Sequence, residues 1–111
     1  MQAILETPIP SAARTASFQS NAINVSAYDD AAVFLDITAV SGTSPSLTVT
    51  VQYSPDGTRW FTHTAFSAKT ATGMDSLRLS NLGKYMRLDC AISGTSPSFT
   101  FQVDVVLKGR G

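Results

Sequence analysis

The side chains able to do chemistry in this chain are few and scattered. His63 is the single histidine and Cys90 the single cysteine among 111 residues. Nucleophilic hydrolysis needs a hydroxyl or thiol, a base to take its proton, and a group that orients the base. Serines and aspartates are numerous enough to complete such a set around His63. No Gly-x-Ser-x-Gly elbow, however, lifts a serine out of the chain for attack. Flanked by Thr62 and Thr64, His63 reads as a surface side chain rather than a base. A structural zinc site takes four Cys or His ligands, and one of each cannot close it. Asp29 and Asp30 could hold calcium together with Asp36 or Asp56, because calcium collects carboxylate oxygens. Paired acids ahead of a strand more commonly make a turn, and that reading is preferred. Cys90 shares its phase with Met86, Leu88 and Ile92, which assigns it to a core. There is no glycine-rich phosphate loop and no dinucleotide fingerprint. These residues predict no catalytic centre, no metal and no cofactor.

Composition narrows the partners. Eight Lys and Arg balance eight Asp and Glu, and the charged fraction is only 14%. A nucleic-acid footprint needs a basic stripe and a membrane anchor a polybasic cluster, and neither is present. Ser and Thr fill about a quarter of the chain. A surface of that kind is cheap to desolvate, suits β-structure and suits contact with other proteins. Zero net charge provides no repulsion against self-association. The opening residues, Met1 to Pro8, lack the basic and apolar regions of a signal peptide. A single cysteine and no such leader fit folding in a reducing cytoplasm.

The elements that must position these residues are strands. Apolar residues alternate with polar ones at Leu47, Val49, Val51 and Tyr53, and again at Phe99, Phe101, Val103, Val105 and Leu107, the period of half-buried strands. Val33, Leu35 and Ile37 predict a third inward face, and Met86, Leu88, Cys90 and Ile92 a fourth. Weaker strands fall near 59–65 and 74–79. Two or three short ones fit between Gln2 and Val25, where Pro8 and Pro10 restrict the chain to an edge or an arm. Ser54-Pro55-Asp56-Gly57 reads as a type I turn closed by a glycine bulge. Asn81-Leu82-Gly83 and Thr72-Gly73 mark further turns. The expected fold is an all-β, single-domain antiparallel sandwich, jelly-roll or immunoglobulin-like. Residues 1–25 form an N-terminal arm or edge strands, and residues 26–111 the sandwich.

One hexapeptide occurs twice. Ser41-Gly42-Thr43-Ser44-Pro45-Ser46 returns letter for letter as Ser93-Gly94-Thr95-Ser96-Pro97-Ser98. Strand patterns flank each copy, so the unit strand–loop–strand is duplicated. Identity of this kind points to backbone geometry, with Gly42 and Gly94 supplying unusual φ and Pro45 and Pro97 stiffness. Aligning the copies sets Val33, Leu35 and Ile37 against Tyr85, Arg87 and Asp89. The inward phase therefore flips, and either one copy carries a bulge or one phase is misassigned.

Four features together carry a resemblance: the Ser-Gly-Thr-Ser-Pro loop, the turn Ser54–Trp60, the Gly83-Lys84-Tyr85-Met86-Arg87 segment, and the closing strand Phe99–Leu107. They resemble a family of small proteins encoded among the virion genes of tailed bacteriophages and prophages. The likeness covers roughly residues 33–108. It implies a non-enzymatic virion structural protein whose partners are the major capsid protein or other virion proteins. The preferred role is a capsid decoration (cement) subunit, a homo-oligomer with a trimer favoured because capsids offer threefold positions. Its location would be the virion, assembled in the host bacterial cytoplasm. A neck or tail position and a carbohydrate- or receptor-binding module are the alternatives. Ile4, Leu5, Ile9 and Phe18 in the N-terminal segment are candidate assembly contacts. Trp60 and Phe61 are the others: Trp60 is expected to pack in the core beside the Pro-Asp-Gly turn, with the outward ring free to anchor an interface or stack on sugar.

Overall fold

The computed structural model describes residues 3–80 and 82–109. Seven strands follow in order: β1 (Ala3–Arg14), β2 (Phe18–Gln19), β3 (Ile23–Asn24), β4 (Asp30–Ser54), β5 (Phe61–Ala65), β6 (Gly73–Ser80) and β7 (Tyr85–Lys108). The four confident strand patterns of the sequence are joined in pairs. Strand β4 runs for 25 residues and β7 for 24. The hexapeptides expected as loops lie inside them.

A straight strand of 25 residues would reach about 80 Å, whereas the longest dimension of the molecule is 46 Å. The two long strands therefore bend, and each serves both layers of a sandwich. One layer contains β1, the C-terminal half of β7, the N-terminal half of β4, and β6. The other contains β2 and β3, the N-terminal half of β7, the C-terminal half of β4, and β5. Every pairing is antiparallel. With each half counted as a strand, and β2 and β3 together as one, the layers read 1-8-3-6 and 2-7-4-5. That is the double Greek key of a jelly roll rather than the immunoglobulin order.

The core matches the alternation. Val33, Leu35, Ile37, Leu47, Val49, Val51, Met86, Leu88, Cys90, Phe99, Phe101, Val103, Val105 and Leu107 are all buried in one cluster. Phe18, which pairs with Cys90 in one layer, meets Phe101 of the other at 6.0 Å between ring centroids. The phase flip between the repeats has a local cause. Ile37 pairs with Phe101 and Ala39 with Thr100, leaving Thr38 as an extra residue. The bulge is in the first copy, and Thr38 Oγ1 donates to the Thr100 carbonyl at 3.3 Å. Beyond it Val40 rejoins the inward phase, as Ile92 does 52 positions later.

The N-terminal segment forms an edge. Strand β1 pairs along the outer side of β7, with register shifts between Glu6 and Ile9 and between Ile9 and Ala12. Pro8 and Pro10, which cannot donate to a ladder, lie within those shifts. Asn81, part of an expected turn, and Arg110 and Gly111 lie outside the described residues.

The bend itself is built from the two hexapeptides, one crossing the other. Thr43 pairs with Thr95, its own counterpart in the repeat, so a local two-fold axis runs between them. Gly42 has φ 109° and Gly94 φ 121°, and Ser44 and Ser96 have φ 49° and 48°. A Cβ on Gly42 would stand 2.6 Å from the Ser96 carbonyl oxygen and 2.8 Å from Pro97 Cα. A Cβ on Gly94 would stand 2.7 Å from the Ser44 carbonyl oxygen and 3.0 Å from Pro45 Cα. Each glycine is thus required twice, for its dihedral and for the backbone lying against it. Gly42→Ala or Gly94→Ala should cost at least about 2 kcal/mol of unfolding free energy. Ser44→Gly, which relieves a left-handed serine, should cost less than about 1 kcal/mol. Chemical denaturation of the three variants checks this, and equal costs would contradict the crossing as described.

Candidate docking surface

The residues with chemical potential are each held in structural work. Cys90 is fully buried, and desolvation pushes its thiol up to about 12 from an ordinary 9.0. His63 is half-buried rather than on the surface. Its Nε2 lies 2.7 Å from the Ser80 carbonyl oxygen, so Nε2–H donates and ties β5 to the end of β6. The ring stands edge-on to Tyr53 at 5.0 Å, and its buried Nδ1 has no hydrogen-bond partner. Among the described residues no hydroxyl or carboxylate is set against either nitrogen in a nucleophile–base arrangement.

The acids are dispersed. Asp30 and Asp36 face outward on one strand, six residues apart, hence about 20 Å from each other. Asp56 is enclosed in its own turn. Its Oδ1 accepts from the Thr58 and Arg59 backbone N–H groups at 3.0 Å each, and its Oδ2 from Arg59 Nε at 2.9 Å. Those bonds, the Arg59 amide first and Thr58 next, hold its carboxyl well below the usual carboxylate range. Buried Ser54 completes the turn by accepting from Gly57 N–H at 2.7 Å, and Gly57 has φ 85°. This is the glycine-closed turn expected from Ser54-Pro55-Asp56-Gly57. Among the described residues no three His, Cys, Asp or Glu side chains cluster as metal ligands.

What the fold presents instead is two unlike outer faces. On the layer of β2, β3, β5 and half of β4 and β7, outward residues are polar, such as Thr48, Thr50, Gln52, Asp89 and Arg87. Arg87 donates to Gln52 Oε1 at 2.7 Å and lies over the Trp60 ring at 4.3 Å. On the layer of β1, β4, β6 and β7, the outward register brings apolar side chains together across four strands. Leu5, Val106 and Ala32 align in one row, Phe34 stands one step along β4, and Met74 lies diagonally beyond it on β6. Leu5 is 65% exposed, Phe34 44% and Met74 83%. Asp104, fixed by Thr7 Oγ1 and Gln102 Nε2 at 2.9 Å, and Asp36 border the stripe at one end. Lys108, Arg78 and Asp30 border it at the other.

The residues named from the sequence fall in different places. Leu5 joins the stripe. Ile4 is exposed beside it, in the row of inward-facing Leu107. Ile9 is buried in the chain's own core at 1% exposure, so its side chain is not at the surface. Phe18 is half-buried between Phe101 and the Arg14 guanidinium. Trp60 is half-buried under Arg87 and is not a core residue. Phe61 is 51% exposed and meets Tyr53 edge-on at 6.5 Å, where Pro55 and Gly83 help line an open cleft of about 300 Å³. Phe34, Val106 and Met74 were not singled out. Phe34 and Val106 are apolar residues at positions where the alternation calls for polar ones, and that irregularity is the signal for them.

A scan of protein-family models finds no match to this chain, and no curated protein matches its sequence. Solved structures match its fold. The PBSX exported protein XepA aligns with 97% of this chain at a TM-score of 0.72 and 13% identity. This chain spans 38% of XepA's length. The SPBc2 prophage-derived protein YomS aligns with 96% of this chain and 92% of its own at a TM-score of 0.58 and 11% identity. A protein of the T13 IBDV viral particle aligns with 97% of this chain and 31% of its own at a TM-score of 0.61 and 15% identity. Likenesses at such low identity establish a shared fold, one found in an exported protein, in a prophage-derived protein and in a viral particle.

The raised thiol pKa of Cys90 has a direct readout. Native protein at pH 8 should react with a thiol reagent about a thousandfold more slowly than unfolded protein, reflecting both thiolate fraction and access. The favoured species is the neutral thiol, so its contribution to stability is complete below pH 9 and is lost as pH rises from about 9 to about 12. Cys90→Ser should abolish that alkaline loss. Rapid labelling of the native protein would contradict the burial.

Proposed function

We propose that this protein is a non-enzymatic structural subunit of a bacteriophage particle, acting as a capsid decoration protein that binds the shell as a homo-oligomer. The observation that carries this reading is the apolar stripe across the outer face of a rigid jelly roll. Exposed, contiguous apolar residues rimmed by polar ones are the mark of a protein contact. The prophage and viral-particle proteins that share the fold, and the sequence features resembling phage virion proteins, support the setting. The dispersal of His63, Cys90 and the acids supports the absence of an enzymatic role.

In this reading the work is mechanical. Each subunit presents a preformed face, so little conformational freedom is lost on docking. A single contact of this size is weak, but linked copies engage several shell sites together and gain avidity of about 10²–10⁴. Decoration then bridges neighbouring shell subunits and opposes their separation under internal pressure. The cleft beside Phe61 and Tyr53 supports a second reading, a carbohydrate- or receptor-binding module, because exposed aromatics stack on sugar rings. A glycan array read with wild type and Phe61→Ala separates the two.

The direct test is a phage lacking the gene. Its particles should release DNA at a lower temperature than wild type, and purified protein added back should restore the wild-type value. Unchanged release, with no binding of the added protein to the shell, would contradict the decoration role.

A further inference from the structure

Each layer of an open sandwich ends in two edge strands, whose outer backbone groups invite another strand. Among the described residues three of the four edges are interrupted. Strand β1 carries two register shifts, with Pro8 and Pro10 inside them. Strands β2 and β3 are two residues each. Strand β5 has five residues and a register shift against β4. Strand β6 differs: its eight residues pair with β4 without a shift, and none is proline. A long, regular edge of this kind is a template for sheet extension. The formal net charge is zero, so no overall repulsion keeps copies of the chain apart.

Two hydrogen bonds show which backbone groups of β6 face outward. The Ser76 N–H donates to Asp75 Oδ1 at 2.8 Å. The Ser80 carbonyl accepts from His63 Nε2 at 2.7 Å. In an antiparallel strand the N–H and C=O of one residue point to the same side, and the side alternates along the chain. Met74, Ser76, Arg78 and Ser80 therefore aim their backbone groups away from β4, while Gly73, Asp75, Leu77 and Leu79 aim theirs toward it. Ser76 is the centre of the outward row from Met74 to Arg78. A second copy's β6 can be laid antiparallel on that row, about a two-fold axis normal to the sheet. Ser76 then meets Ser76, and Met74 meets Arg78. The central pair must exchange its amides and carbonyls, and Asp75 already holds the amide. Any strand spanning the row, in either direction, needs that same amide.

We propose that Asp75 guards this edge, an autoinhibitory contact that closes β6 to strand addition by a second copy's β6. This goes beyond the role proposed above and does not depend on it. The guard is fixed from behind. Lys69 Nζ donates to Asp75 Oδ2 at 2.6 Å. Lys69 in turn exchanges two backbone hydrogen bonds with Leu47, at 2.8 Å each. One carboxylate oxygen is thus held on an anchored lysine and the other on the Ser76 amide. Lys69 first, and the amide next, hold the Asp75 carboxyl below its ordinary range, so the cap stays ionised at neutral pH. A bond to a charged acceptor is stronger than the neutral amide–carbonyl bond that strand pairing would put in its place. Two-fold pairing would also make the two Asp75 side chains diagonal neighbours about 7–8 Å apart, with like charge. Copies crowded on a particle are thereby kept from zipping into continuous sheets.

Sedimentation velocity of the full chain between about 1 and 100 µM tests the guard in the range where weak protein contacts titrate. Each two-fold pairing breaks two caps, so Asp75→Ala should bring self-association to at least about tenfold lower concentration than wild type. Adding Ser76→Pro to the same chain should return it to the wild-type value. Proline removes the amide that pairing needs, and an edge strand tolerates it where the N–H faces away from the neighbouring strand. Unchanged association of Asp75→Ala, or an increase that Ser76→Pro leaves in place, overturns the proposal. Amide hydrogen exchange of the wild-type protein tests the cap without any variant, should Asp75→Ala fail to fold. Relative to intrinsic rates, the Ser76 amide should exchange several-fold more slowly than those of Met74 and Arg78. Equal protection of the three amides overturns the proposal as well.

Discussion

Two strands of this protein change layers at the same place, and they can do so only because the same six residues cross themselves there. At the crossing Gly42 lies against the Ser96–Pro97 backbone and Gly94 against Ser44–Pro45, closer than any side chain would permit. Positive φ at four residues turns both strands without ending either. Hydrogen bonding therefore continues around the corner, and no chain break or exposed edge forms where the layers join. The duplication in the sequence is the signature of this arrangement: a local two-fold axis asks for the same geometry from both strands, and the same letters provide it.

Everything else hangs from that corner. The bent pair β4 and β7 supplies the two central strands of each layer, and the remaining strands only flank them. Most of the core is the inner face of this one ribbon folded on itself, completed by Ile9, Val25, Phe66 and Leu79 from the flanking segments. Because the ribbon is continuous, the outer faces of the layers are positioned relative to each other with little freedom, and a pattern written on one face is presented rigidly. The chemistry of the molecule follows from the same economy. Its one thiol fills the core, its one imidazole ties β5 to β6, and Asp56 organises a turn. What remains at the surface is shape, a stripe of apolar side chains and a few separated charges, which suits binding to proteins.

Much of this was legible in the residues. The inward phases of all four main strand patterns, the core position of Cys90, the Pro-Asp-Gly turn and the proline-marked edge strand follow from period, propensity and turn chemistry, which are local. The phase flip between the repeats was legible as a conflict, and Thr38 resolves it. The hexapeptides read as loops because Gly, Ser and Pro usually interrupt strands. Their role as a crossing depends on a partner 52 residues away, which no local rule contains. The same limit explains the surface. Ile9 reads as an assembly contact because its proline-bearing segment is restricted to an edge or an arm, yet the strand it belongs to turns it inward. Phe34, Val106 and Met74 come together only through registers among three strands, and His63 left the surface only because β6 ends beside it.

The proposed place of this protein in a virus particle is tested most directly by its copy number in purified particles of a phage that carries the gene. Quantitative mass spectrometry against the major capsid protein measures that number. Copies in the hundreds are expected, commensurate with positions across the shell. About a dozen or fewer would move the protein to the neck or tail, and its absence from the particle would contradict the structural role itself.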